Sequence, residues 1–137
     1  MTKTTTSLAF LTLLCAVLAG CRNSPYARIQ SDSRQFQDVV VPAGFRLQDD
    51  RSRSLEESTF RTAEFVYRGD AKVDEAAAYV QRRMPNHSWK MVGEPIVDET
   101  GKHLRFQRGI YTAHYRFTRR EGSTQMVVEY STDYSRR

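Results

Sequence analysis

Three stretches near the C-terminus alternate apolar and polar residues with a period of two. Lys102 to Arg108 alternates around Leu104 and Phe106, and Tyr111 to Arg119 sets Tyr111, Ala113, Tyr115 and Phe117 against Thr112, His114, Arg116 and Thr118. Thr124 to Ser131 places Met126, Val128 and Tyr130 on one side. Successive side chains of a strand point to opposite faces, so this pattern demands a sheet with one face covered and the other in water. Short turn signals join the three strands, among them Glu121-Gly122-Ser123, and predict an antiparallel meander. Thr59 to Arg68 has the same alternation, with Arg61, Ala63, Phe65 and Tyr67 facing one way. A further strand pattern, Trp89 to Val97, is interrupted by Gly93 and Pro95.

A different period occupies the middle of the chain. Val73, Ala76, Ala77, Val80 and Met84 recur at spacings of three and four, with Asp74, Glu75, Gln81 and Arg82 opposite them. Acidic residues in the first turn, Arg82 and Arg83 in the last, and a stop at Pro85 predict a helix over about 72–84. The economical architecture is α+β: an antiparallel sheet of about four to five strands with this one helix packed on one face, in two layers. A closed β-barrel is the alternative, and a helix between the strands near Phe65 and Trp89 argues against it. Trp89 is expected to close one end of the core with Phe45 and Phe65.

The N-terminal end is of another kind. Leu8 to Leu18 reads LAFLTLLCAVL, interrupted only by Thr12 and preceded by the single charge of Lys3. A membrane-spanning helix needs about 18 or more apolar residues, whereas a secretory signal holds roughly 7 to 15, so export and cleavage are expected. Leu18-Ala19-Gly20-Cys21 closes the run and resembles the lipobox of bacterial lipoproteins. That resemblance implies that Cys21 begins the mature chain, that its thiol carries a diacylglyceryl group, and that its amino group is acylated, as with palmitate. Two or more acyl chains, at about 0.8 kcal/mol per buried methylene, hold a protein stably to a membrane. Arg22 stands where an Asp would be associated with inner-membrane retention, so the resemblance implies an outer-membrane anchor facing the periplasm. With Cys15 in the signal and Cys21 lipidated, no thiol is left for a disulfide, a metal or nucleophilic attack. The organisation expected is a signal peptide over 1–20, the lipidated Cys21 and a polar tether over 21–41, one α+β domain over 42–132, and a tail over 133–137.

The run Pro42-x-Gly44-Phe45, Tyr67-x-Gly69, a helix ending Met84-Pro85, then Trp89 and the strands around Leu104 and Phe106 is similar to small bacterial lipoproteins of uncharacterised function. In such proteins a glycine often precedes the tryptophan, where this chain has Ser88. The resemblance implies the fold and brings no active site.

Metal sites usually pair histidines at i, i+2 on a strand or i, i+4 on a helix, and His87, His103 and His114 show neither spacing. They are read as solvated strand histidines, although His103 and His114 can be cross-strand neighbours on the wet face, with Asp98 or Glu99 close to the turn. No serine elbow occurs, and Gly122-Ser123 reads as a hairpin turn. Asp49-Asp50, Glu56-Glu57 and Asp98-Glu99 are adjacent pairs in loop-like stretches, unsuited to the facing carboxylates of a glycosidase. No phosphate-binding or dinucleotide fingerprint is present. No catalytic residue, metal or cofactor is therefore assigned beyond the covalent lipid on Cys21.

The full chain carries 21 basic and 16 acidic residues. Arginine dominates the basic set, and its planar fork suits carboxylate and phosphate, so an outward row such as Arg105, Arg116 and Arg108 can meet anionic envelope material. The interspersed acidic residues favour plain solubility as the origin of that balance. Nucleic acid is excluded as a partner by the exported address and by the lack of an aromatic-plus-basic motif. The expectation is a non-enzymatic, lipid-anchored envelope module with His103, Arg105, His114 and Arg116 as its contact surface for an envelope protein or anionic glycan. The alternatives are a small envelope enzyme, hydrolytic or metal-dependent, built on non-local histidines and carboxylates, and a carrier of an apolar ligand between helix and sheet.

Overall fold

The computed structural model describes residues 35–136, so the signal, Cys21 and most of the expected tether lie outside the described residues. Within them are β1 (Arg46–Leu47), β2 (Arg53–Glu57), β3 (Phe60–Gly69), α1 (Val73–Arg83), β4 (Lys90–Met91), β5 (Ile96–Asp98), β6 (Gly101–Arg108), β7 (Tyr111–Arg120) and β8 (Ser123–Thr132). The strands form a single antiparallel sheet in the order β1-β3-β8-β7-β6-β4, with β2 also on β3 and β5 also on β6. The α+β class expected from the sequence is the one observed.

The count of eight strands exceeds the four to five expected because each edge comes in two pieces. At the β3 edge a 3-10 turn, Asp49–Arg51, separates β1 from β2. Buried Ser52 mends the gap: its Oγ accepts from the Val66 N–H at 2.9 Å and donates to the Gln48 carbonyl at 2.7 Å. The sequence of β2, RSLEE, holds one large apolar residue, Leu55, so this exposed edge strand has little alternation to read. Glu56-Glu57 thus sits in β2 and Asp49-Asp50 in the 3-10 turn, rather than in loops. At the β6 edge, Gly93 and Pro95 fall between β4 and β5 and split the single strand expected there.

Tight turns fix the register of the meander. Arg120 pairs with Ser123, so Glu121 and Gly122 form a two-residue loop, both with positive φ (49° and 78°), the geometry whose twist matches that of paired strands. Arg108 pairs with Tyr111 across Gly109-Ile110. These loops set Leu104, Phe106, Ala113, Tyr115, Phe117, Met126, Val128 and Tyr130 on one face, all buried.

The buried residues of α1, Ala76, Ala77 and Val80, join Met84 and that sheet face in one apolar cluster. The alanines lack bulk, which lets the helix backbone approach closely. Glu75 accepts from the Lys72 N–H at 3.3 Å at the helix start, and Pro85 diverts the chain into a 3-10 turn, Met84–His87. Ser88 then takes a left-handed conformation (φ 64°) that turns Trp89 into the core. Trp89 is buried and meets Tyr130 edge-on at 5.6 Å, whereas Phe65 meets Phe36 and Phe45 lies over Gly69. A Cβ at Gly69 would overlap the Phe45 ring, which is why glycine ends β3.

The packed part begins no later than Phe36, ahead of the Pro42 start expected from the sequence. Phe36, Val39 and Val40 are buried in the cluster, and the Val40 N–H donates to the Tyr115 hydroxyl at 3.0 Å. Polar composition between these residues hides the fact that every large apolar side chain in the segment faces inward.

Candidate functional site

Alternation and register together place the outer-face residues in rows across the strands. One row runs Arg105, His114, Glu129, Glu64 and Arg53, from β6 through β7, β8 and β3 to β2. Its neighbour runs Ile96, His103, Arg116, Val127 and Val66. Val127 and Val66 are buried, so a charged row lies beside one that is apolar at its β3–β8 end. The four residues expected as a contact surface are thus neighbours on one face: His103 pairs with Arg116 and Arg105 with His114.

The two histidines are tied into a chain, with His103 largely withdrawn from water and His114 partly exposed. His103 Nδ1 lies 3.0 Å from His114 Nε2, with ring centroids 5.2 Å apart. His103 Nε2 reaches Thr100 Oγ1 at 2.8 Å and Asp98 Oδ1 at 3.2 Å, and His114 Nδ1 reaches Glu129 Oε2 at 3.4 Å. The His103 side chain is 11% exposed, which departs from the solvated setting expected. Hydrogen bonds from the Thr100 hydroxyl and backbone N–H, joined by the neighbouring His103, hold the Asp98 carboxyl below the usual carboxylate range.

Arg105 is exposed and Arg116 half-buried, and among the described residues neither has an acidic partner. Arg53 and Arg68, on the same side, are paired with Glu64 and Glu121. Arg108, expected in the outward row, sits on the other face. Residues 105 and 108 of a strand cannot share a face, and Arg108 extends beyond Phe106 on the core side to Asp38. There Asp38 accepts from Arg108 and from the Tyr130 hydroxyl (3.2 Å), and its backbone carbonyl accepts from the Trp89 indole N–H (3.1 Å). The guanidinium of Arg108 lies 4.8 Å from the Trp89 ring centroid. Arg61 is held nearby by Glu56 at 2.6 Å, between the Phe36 and Tyr111 rings.

Sequence reasoning missed Asp38, Glu64 and Glu129. Glu129 was findable, because two-residue loops at Gly109-Ile110 and Glu121-Gly122 fix which residues of β6, β7 and β8 face one another, whereas Glu64 lies on β3, whose register with β8 no tight turn sets. Asp38 carried no such signal, since it precedes every regular element. No protein-family profile matches the chain, and no curated protein or solved structure matches it either.

Proposed function

We propose that this chain is a lipid-anchored lipoprotein of the cell envelope, held at the outer membrane through Cys21 and facing the periplasm. Its α+β domain acts as a non-catalytic binding or scaffolding module. In this reading helix and sheet form two layers, and the outer sheet face is left for an anionic partner, either an envelope protein or a glycan. The observation that carries it is the pair Arg105 and Arg116, two guanidiniums on adjacent strands without acidic partners among the described residues. An arginine fork binds carboxylate or phosphate in two-pronged fashion, and these two are free to offer theirs to a ligand. The space an apolar ligand would need between helix and sheet is occupied by Met84, Leu104, Tyr115, Phe117 and Met126, each at most 1% exposed. That packing favours the surface reading over the carrier.

Two measurements test the proposal. Cys21→Ser should move the protein from the membrane pellet to the soluble fraction and abolish palmitate labelling; unchanged fractionation overturns the anchor. Arg105→Ala with Arg116→Ala should lower recovery on an anionic envelope glycan or in envelope pull-downs by at least about tenfold, a loss of roughly 1.4 kcal/mol. Unchanged recovery overturns the surface.

A further inference from the structure

The neighbours of the two histidines decide where their ring protons sit. Thr100 Oγ1 donates its proton to Asp98 Oδ1 at 2.6 Å, so towards His103 Nε2 it can only accept. His103 Nε2 thus faces two acceptors, which in the neutral tautomer places the ring proton there and a lone pair on Nδ1. Glu129 Oε2 likewise draws the proton of His114 to Nδ1 and leaves a lone pair on Nε2. Those two bare nitrogens stand 3.0 Å apart. With centroids 5.2 Å apart and planes 21° from parallel, the rings meet edge to edge, and their in-plane lone pairs aim into one space. Facing lone pairs at this distance repel unless a cation lies between them, either a proton shared as an N–H···N hydrogen bond or a metal ion.

We infer that this space is a transition-metal site, with His103 Nδ1 and His114 Nε2 as ligands and Asp98 and Glu129 orienting the rings from behind. Imidazole suits zinc, copper and nickel, and ligating histidines characteristically donate their other N–H to a carboxylate. Two nitrogens each about 2.0–2.1 Å from a tetrahedral zinc ion lie roughly 3.3 Å apart, a separation that a small rotation of either ring provides. Arg105, opposite His114, and Arg116, opposite His103, oppose a cation here. Asp98 and Glu129 offset them, while Glu64, opposite Glu129, is paired with Arg53. Among the described residues no group of three or more His, Cys, Asp or Glu converges as a ligand set, so the remaining positions fall to water or an anion and the metal exchanges readily. The site stands on imidazole geometry and does not depend on the outer face binding a macromolecule.

The test is calorimetric titration of the full chain in detergent, purified without a polyhistidine tag, with zinc alone and with copper(II) alone. Uptake should saturate at one equivalent, vanish in His103→Ala and His114→Ala, and persist in His87→Ala, whose histidine lies in the 3-10 turn after α1. Asp98→Asn should weaken it about tenfold. Absent saturable uptake, or uptake that both His103→Ala and His114→Ala retain, overturns the site. Should those variants fail to fold, the wild type decides: electron spin echo modulation from copper(II) must report two imidazoles, and one or none overturns it.

Discussion

Arg105 and Arg108 lie on the same strand and meet opposite fates. Arg108 ends in a junction of Asp38, Trp89, Tyr111 and Tyr130, where each charge and each indole or phenol proton has a partner. Arg105 lies on the exposed face with no counter-ion among the described residues. The junction commits its charges to fixing the segment around Asp38 to the end of the sheet. The outer face pairs Arg53 and Arg68 but leaves Arg105 and Arg116 without an acidic partner among the described residues. Matched, half-buried charge marks architecture, and in the proposed reading the unmatched charge on the wet face is where a partner binds.

The largest expected effect separates these two settings. Asp38→Ala strips Arg108 and the Tyr130 hydroxyl of their acceptor where the two ionic side chains are only 13% and 29% exposed. It should cost about 2–4 kcal/mol in urea unfolding, since a half-buried cation is left alone. Arg105→Ala should change stability by less than about 0.5 kcal/mol. Comparable losses in the two variants would erase the distinction between clamp and free surface.

Much of this division was legible in the sequence. The alternation of β6, β7 and β8 reports which side chains face the core, and Arg105, His114 and Arg116 fall on the outer face as their parity requires. Parity equally assigns Arg108 to the core side, against its grouping with Arg105. The junction was illegible for a different reason. Asp38, Trp89 and Tyr130 lie far apart in sequence and meet only when the N-terminal segment closes over the sheet end, a contact no local pattern encodes. The histidine chain lay between these extremes: adjacency follows from hairpin register, but the 3.0 Å nitrogen contact depends on side-chain geometry.

Alkali should attack the core and junction before it alters the outer face. Burial, reinforced by the nearby Asp38 carboxylate, pushes the Tyr130 phenol up to about 12, and burial raises Tyr67 and Tyr115 further. A phenol whose folded value exceeds its unfolded value of about 10 stabilises the fold fully below pH 10, and that contribution is lost as pH rises towards 12. For Tyr130 alone the loss is on the order of 2–3 kcal/mol. Tyrosinate absorbance should therefore appear together with loss of near-ultraviolet ellipticity above pH 10, and Tyr130→Phe should remove part of the pH dependence. Gradual titration of the phenols with the fold intact would show that the junction is wet.

The smallest effect sharpens the comparison from the junction side. Ser88 holds φ at 64°, where an L-residue with a Cβ is strained, and its place directly before Trp89 sets the angle at which the indole enters the junction. Glycine adopts this conformation at no steric cost, although it raises the entropy of the unfolded chain. Relief of strain should win, so Ser88→Gly should stabilise by about 0.5–1 kcal/mol. Ser88→Ala keeps the Cβ and should show no gain. Glycan recovery and metal uptake should be the same in both variants, because the loop lies at the Trp89 end of the core and not on the outer face. A gain in Ser88→Ala would locate the effect in the lost hydroxyl rather than in the backbone, and altered binding in Ser88→Gly would show that the two regions are mechanically joined.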